Sequence, residues 1–148
     1  MCYVRDRLVV AGLVVCVGLL LGCDRGPRLV PVTGTVLIDG EPVENASVMF
    51  TPQEGGRPAS GFTDASGNFS LSTYQPGDGA TAGTNLVSVT ARDFTGVPPI
   101  DPATGEVPRG GPEPKWISHP RYSTPKTSGI KVEVERGMGP VTVEVTSD

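Results

Sequence analysis

Two segments near the C-terminus alternate strictly between valine and polar residues, and this period of two constrains the fold more than any other feature. The first reads Lys-Val-Glu-Val-Glu over residues 131–135, and the second reads Val-Thr-Val-Glu-Val over residues 141–145. Successive side chains of a β-strand point to opposite faces, so each segment can bury its valines and leave its charged residues in water. The five residues between them, Arg-Gly-Met-Gly-Pro, are typical of a turn. The pattern predicts two strands of an all-β domain.

The rest of the chain repeats this organisation, with strand-length apolar segments separated by turn residues and no helical period. Five further strands are predicted at residues 33–38, 46–51, 60–63, 68–73 and 85–94. The sequence Asp-Gly ends the first of them, and Asp-Ala-Ser-Gly separates the third from the fourth, which favours a hairpin. About seven short strands with frequent turns predict an antiparallel β-sandwich.

A long segment without a strand pattern, residues 96–120, interrupts the predicted sheets and is rich in proline and glycine. Loops of this length are usually functional or disordered. Its adjacent large apolar side chains, Trp116 and Ile117, form a candidate partner contact, because tryptophan is a common anchor of interfaces. The alternative, which we favour, is that Trp116 closes the edge of the core, because a buried aromatic ring adds much apolar area to a small domain.

The N-terminal segment has the layout of a secretory signal peptide: two arginines, an uncharged apolar run over residues 8–21, and then a small residue. The run ends in Leu-Leu-Gly-Cys at residues 20–23, which resembles the lipobox of bacterial lipoproteins. That resemblance implies cleavage between Gly22 and Cys23 and attachment of a lipid to the Cys23 thiol. It also implies export to a bacterial envelope membrane, on its periplasmic or surface face, with Asp24 favouring retention at the inner membrane.

The alternative interpretation of the apolar run is a transmembrane helix. Its 14 residues would span only about 21 Å as a helix. The hydrocarbon core of a bilayer is roughly 30 Å thick and needs about 20 apolar residues. The run is therefore too short for a membrane span, and we favour the lipoprotein signal.

Cleavage before Cys23 would leave 126 of the 148 residues, a length that fits one domain. The removed segment carries two arginines and one aspartate, so the net side-chain charge changes from −4 to −5. An acidic chain without a basic stripe argues against nucleic-acid binding. The other two cysteines also lie in the removed segment, so we expect neither disulfides nor thiol catalysis in the mature chain.

Several strand and turn segments together resemble a known family. The opening of carboxypeptidase regulatory-like domains is similar to three segments: Val-Thr-Gly-Thr-Val at residues 32–36, Asp-Gly-Glu-Pro-Val at 39–43 and Ala-Ser-Val-Met-Phe at 46–50. Their central hairpin is similar to Gly-Phe-Thr-Asp-Ala-Ser-Gly-Asn-Phe at residues 61–69. Short bacterial lipoproteins that carry this module alone are similar to the C-terminal part in Pro-Arg-Tyr at residues 120–122, Thr-Ser-Gly-Ile at 127–130 and the final valine strands.

This resemblance implies a transthyretin-like, seven-stranded Greek-key β-sandwich, a fold that does not by itself imply a function. Together with the lipobox resemblance, it divides the chain into a lipoprotein signal peptide at 1–22, a lipidated tether at 23–31 and a carboxypeptidase regulatory-like domain at 32–146. The implied partner is a membrane, through the lipid on Cys23, and an envelope protein or glycan partner stays unidentified.

Enzymes of the transthyretin-like group, the hydroxyisourate hydrolases, depend on several histidines, an arginine and a C-terminal Tyr-Arg-Gly-Ser. This chain has a single histidine, His119, and ends in Val-Thr-Ser-Asp. A serine triad and a zinc site are equally unsupported, since one histidine without a nucleophile-elbow sequence or free cysteines satisfies neither. We therefore predict no enzymatic activity and no cofactor, and an exposed His119 without a role.

Asp64, Ser66 and Asn68 place oxygen-bearing side chains at alternate positions around Gly67. Calcium favours several oxygen ligands on a flexible loop, so these three residues are a candidate calcium site. The same residue types also form ordinary turns, in which their side chains hydrogen-bond to nearby backbone groups. Because this loop holds one carboxylate, fewer than calcium loops usually supply, we favour the turn.

These observations together predict a non-enzymatic, lipid-anchored envelope protein that serves as a structural or protein-interaction module. An alternative is a module that binds envelope glycans or peptides, for which residues 96–120 would supply the contacts. A hydrolase is the less favoured alternative, because the chain offers few catalytic side-chain types.

Overall fold

The computed structural model describes residue 26 and residues 28–100, 102–106 and 111–148. Regular structure within these ranges is almost all β-strand. The strands are β1 (Leu29–Val30), β2 (Thr33–Ile38), β3 (Glu41–Pro42), β4 (Ser47–Pro52), β5 (Ala59–Phe62), β6 (Asn68–Ser70), β7 (Ala80–Thr81), β8 (Gly83–Thr90), β9 (Arg92–Asp93), β10 (Lys115–Trp116), β11 (Ile130–Val134) and β12 (Val141–Val145). The helical elements are a 3₁₀ helix at Pro120–Ser123 and one α-helical turn, α1, at Pro125–Ser128.

Two four-stranded sheets form the body of the domain. The larger sheet has the strand order β11-β8-β4-β5, and every neighbouring pair in it is antiparallel. In the second sheet β2 is central and pairs with β12 and with both β3 and β6. The apolar core lies between the two sheets, which confirms the predicted all-β sandwich.

Alternation along the strands builds this core. Val48 and Phe50 of β4 are fully buried, whereas Met49 between them is exposed. The last strand, β12, buries alternate valines in the same way, as the period of two predicts. The rings of Phe50 and Phe69 come from opposite sheets and lie 6.2 Å apart, centre to centre. With no cysteine among the described residues, these apolar contacts hold the two sheets together.

One strand pair departs from the antiparallel prediction, because β12 runs parallel to β2. The turn at residues 135–140 joins strands of different sheets: β11 pairs with β8 in the larger sheet, and β12 pairs with β2 in the second. The chain crosses the core at this turn and reverses direction. The next strand, β12, therefore lies beside β2 and runs in the same direction as β2.

The predicted hairpin around residues 64–67 also contributes to both sheets. β5 pairs with β4 in the larger sheet, and β6 pairs with β2 in the second. The two strands are joined by the turn and by a bridge between Ser60 and Ser72, whose backbones exchange two hydrogen bonds of 2.9 Å. This connection closes one edge of the sandwich.

The folded part begins before residue 32, where the family resemblance starts. Leu29 and Val30 form β1, which pairs with β7, and Val30 is buried in the core. The segment predicted as a tether, residues 23–31, therefore ends in a strand. Val30 joins the fold because it adds an apolar side chain to the core and a strand pair to β7.

The sandwich has two distinct ends. β1, β7 and the turn at 135–140 lie where β8 begins, and we call this the N-terminal end. The turn at 64–67 and the β9–β10 pair lie where β8 ends, and we call this the far end. The eight residues of β8 span about 27 Å, which is the distance that separates the two ends.

Gly34 lies at the contact between β2 and β12, and its lack of a side chain permits that contact. A methyl group at this position would overlap the carbonyl oxygen of Val141 and the ring of Phe69. The parallel pair that closes the second sheet therefore requires glycine here.

We expect Gly34→Ala to reduce the free energy of unfolding by about 2 kcal/mol or more, because both backbone and ring must move to admit the methyl group. Gly139→Ala is the matched control, since a methyl group there meets no atom within 4 Å. Urea unfolding of both variants measures the difference. Equal stability of the two variants would contradict the close β2–β12 contact.

Candidate functional site

The predicted contact pair, Trp116 and Ile117, is divided between surface and core. Trp116 lies in β10 and is 40% exposed, so the interpretation that it closes the core is wrong. Ile117 has that role: it packs against the core, and its N–H donates to the carbonyl oxygen of Ala91 at 3.0 Å. Extended backbone explains the division, because neighbouring residues point to opposite sides.

The β9–β10 pair is a short antiparallel ribbon beyond the end of β8. Arg92 lies opposite Trp116, and its guanidinium carbon is 3.9 Å from the centre of the indole ring system. A cation over an aromatic face at this distance is attracted by about 0.5 to 2 kcal/mol. Asp93 lies opposite Lys115 in the adjacent position of the ribbon, so that pair points to the other side.

Two further aromatic side chains are exposed beside Arg92. Phe62 of β5 is 70% exposed, and Phe94, directly after β9, is 62% exposed. Both line a pocket of about 150 Å³ together with Arg92 and Ser47, and Ser47 lies opposite Phe62 in the sheet. We call the surface formed by Phe62, Arg92, Phe94 and Trp116 the aromatic face.

An apolar groove of about 420 Å³ adjoins the aromatic face and shares Phe94 with it. We call it the proline groove, because four prolines line it. It is formed by Phe94, Val97, Pro98, Pro99, Ile100, Gly111, Pro112, Glu113 and Pro114. The segment predicted to supply contacts, residues 96–120, therefore brings together an exposed tryptophan and an apolar groove at the far end of the sandwich.

The candidate calcium residues form a turn, as the favoured interpretation predicts. Oδ1 of Asp64 accepts hydrogen bonds from the N–H groups of Asn68 and Ser66, each 2.9 Å long. These bonds, that from Asn68 first, hold the pKa of the Asp64 carboxyl below its ordinary value. The side-chain oxygen of Asn68 in turn accepts a hydrogen bond from the Thr35 hydroxyl at 2.9 Å. Within the described ranges, no three His, Cys, Asp or Glu side chains lie close enough together to hold a metal ion.

Asp78 organises the loop between β6 and β7, a role that the sequence interpretation missed. Its Oδ1 accepts the Thr73 N–H at 2.6 Å, and its Oδ2 accepts the N–H groups of Tyr74 and Gln75 at 2.9 Å each. These bonds, that from Thr73 first, lower the pKa of the Asp78 carboxyl. No local turn motif reveals such a carboxylate, because it follows the residues that it binds by three to five positions.

His119 begins the 3₁₀ helix and is half-buried, so the prediction of an exposed imidazole without a role is wrong. Its Nδ1 accepts a hydrogen bond from the N–H of Arg121 at 3.1 Å. Its own N–H donates to the carbonyl oxygen of Thr146 at 2.9 Å. An accepting Nδ1 leaves the ring proton of the neutral imidazole on Nε2.

The predicted cleavage and lipidation residues, Gly22 and Cys23, lie outside the described residues, as does Asp24. In the part of the chain that the structure describes, no helix is long and apolar enough to cross a membrane. The lipid anchor therefore stays a prediction from the sequence.

Sequence reasoning found Trp116 but missed Arg92, Phe62 and Phe94. These residues come from β5, from β9 and from the residue after β9, and only the strand register brings them to one face. Phe62 and Arg92 are 30 positions apart, so no local motif joins them.

Comparison with known proteins leaves the family open. No family model matches the chain, and no curated protein matches it. Among solved structures, a 9R-lipoxygenase from Cyanothece PCC8801 aligns with 80% of this chain at 15% sequence identity and a TM-score of 0.35. The chain spans 16% of the length of that lipoxygenase. A likeness of that size supports no conclusion about activity.

We expect the chain to lose stability as the pH falls below the ordinary pKa of an aspartate, and Asp78→Asn to reduce that loss. A carboxyl whose pKa is lowered by folding stabilises the fold above its unfolded-state pKa, and this contribution disappears as the pH falls through the folded-state value. Thermal unfolding across an acidic pH series measures the effect. Glu54→Gln is the control, because the Glu54 side chain makes no hydrogen bond or ion pair within the described residues. An unchanged pH profile in Asp78→Asn would contradict the assigned role.

Proposed function

We propose that this chain is a lipid-anchored protein of a bacterial envelope, and that its β-sandwich serves as a structural or protein-interaction module. The observation that carries the proposal is the short spacing between the lipobox-like sequence and the fold. Five residues, 24–28, separate Cys23 from the first strand at Leu29. A signal that ends in cysteine and is followed directly by a stable domain is the arrangement expected of a lipoprotein.

This spacing would also orient the domain. The six extended steps from Cys23 to Leu29 reach at most about 22 Å, so a lipid on Cys23 would hold the N-terminal end of the sandwich close to the membrane surface. The far end would then project outward by roughly the length of β8, about 27 Å. The aromatic face and the proline groove, both at the far end, would face the envelope space.

The exposed aromatic face supports an interaction role. Three large rings and an arginine share one surface, and arginine and aromatic residues are the types that anchor protein interfaces. Strand pairing positions them, because Phe62 lies in β5 beside β4, and Arg92 and Trp116 pair across the β9–β10 ribbon.

A second candidate function is peptide binding, and the proline groove favours it. Its lining is almost entirely apolar, which suits an apolar peptide segment. The groove volume of about 420 Å³ is within the range of small-ligand sites. Glycan binding, the other form of this alternative, would use the exposed face of Trp116.

The Cys23→Ala variant tests the anchor. We expect the variant to accumulate as an uncleaved precursor without lipid, because the thiol that receives the lipid is missing. Radiolabelled fatty-acid incorporation and the intact mass of the purified protein measure both effects.

Cys16→Ala is the matched control, because this cysteine lies inside the apolar run that would be removed. It should be labelled and cleaved like the unmodified chain. Lipid incorporation in Cys23→Ala equal to that of Cys16→Ala would refute the proposed anchor.

A further inference from the structure

We propose that the aromatic face binds the C-terminal carboxylate of a partner peptide, with Arg92 pairing with the carboxylate and Phe62 and Phe94 enclosing the last, apolar side chain. The inference names a partner class for the interaction module proposed above and rests on that proposal. Its observations are the position of Arg92, the charges around it and the shape of the pocket that it lines.

Arg92 is held in place by packing rather than by an ion pair. Its guanidinium lies against the indole of Trp116 at 3.9 Å, and the backbones of these two residues are paired in the β9–β10 ribbon. Stacking uses the flat face of the guanidinium and leaves its N–H edge available. That edge presents donors in the fork geometry that matches the two oxygens of a carboxylate.

Arg92 has no carboxylate partner within the residues that the structure describes. The neighbouring Asp93 is committed elsewhere: its Oδ1 accepts the Thr95 N–H at 2.8 Å, and it faces Lys115 across the ribbon. The Thr95 side chain and N–H, with the nearby charge of Lys115, lower the pKa of the Asp93 carboxyl and keep it ionised. Alternation in the ribbon therefore places Asp93 and Lys115 on one side, and on the other Arg92, which has no carboxylate partner among the described residues.

The pocket beside Arg92 has the size and lining for one apolar side chain next to polar backbone. Phe62 and Phe94 form its apolar walls, and its volume is about 150 Å³. Ser47, Thr90 and Asn45 line the same pocket and can hydrogen-bond to the last peptide group of a ligand. The C-terminal residue of a peptide fits this pocket when its side chain is apolar, because its carboxylate can pair with Arg92 while its side chain lies between Phe62 and Phe94.

The location of the pocket favours a protein ligand over a lipid surface. It lies at the far end, about 27 Å along β8 from the strand that follows the proposed anchor. A membrane that held Cys23 would therefore face the opposite end of the sandwich.

Intrinsic fluorescence provides a direct test, because Trp116 is the single tryptophan of the chain. The full chain is purified and held on phosphatidylcholine vesicles, or kept in the same buffer without them if it carries no lipid. N-acetyl-phenylalanine is titrated as the probe with a free carboxylate, and N-acetyl-phenylalaninamide as the probe without it. We expect a saturable change in Trp116 emission with the acid and at least about tenfold weaker binding of the amide.

Arg92→Gln should weaken binding of the acid by about tenfold or more and leave the amide unaffected. Arg92→Lys should weaken it by less, because a lysine keeps the charge but loses the fork and the stacking. Arg57→Gln is the matched control, since Arg57 lies over the ring of Tyr74 at 5.2 Å, away from the aromatic face. Thermal unfolding of each variant verifies that it remains folded.

The inference would be overturned by equal binding of acid and amide, by no saturable change with either probe, or by equal weakening in Arg57→Gln and Arg92→Gln. A larger response to the neutral sugar maltotriose than to the acid would also overturn it and would favour glycan binding. Because lipidation is measured separately, on Cys23, failure of binding at the aromatic face leaves the anchor proposal intact. Failure of lipidation likewise leaves the binding result valid.

Discussion

Burial of the two inner sheet faces against each other is the interaction on which the rest of the structure depends. No cysteine lies among the described residues, so the sheets are held by apolar contact, centred on Phe50 and Phe69. Each strand must keep its register to bury its valines, because a slip of one residue would turn them to solvent. The close approach at Gly34 fixes β12 beside β2 and completes the second sheet. The core can therefore pack only when every strand keeps its register.

The same constraint decides what the surface presents. Ala91 is buried at the end of β8, so the residues on either side of it, Thr90 and Arg92, must point outward. Ile117 packs inward against the core, so its neighbour Trp116 must also point outward, beside Arg92. The aromatic face is thus a consequence of core alternation at the far end. Its side chains are positioned by the pairing of β5 with β4 and of β9 with β10.

Three aspartates in the loops accept hydrogen bonds from backbone N–H groups of their own loops. Asp64 and Asp78 each bind two or more backbone N–H groups, and Asp93 binds the Thr95 N–H. Such bonds satisfy donors that no strand pairing reaches and lower the pKa of each carboxyl. These loops are therefore ordered by local charge-assisted bonds. Arg92 is the contrasting case, a cation that packing rather than a carboxylate holds in place.

The sequence by itself determined the fold class, the positions of most long strands and the turn at Asp64, because these depend on local period and turn chemistry. It also supplied the lipobox-like ending at Cys23, which no fold is needed to recognise. It could not determine that β12 runs parallel to β2, nor that Trp116 faces outward while Ile117 faces inward. Those outcomes depend on which sheet each strand joins. Only tertiary structure brings Phe62 beside Arg92, because cross-strand register links residues that share no local pattern.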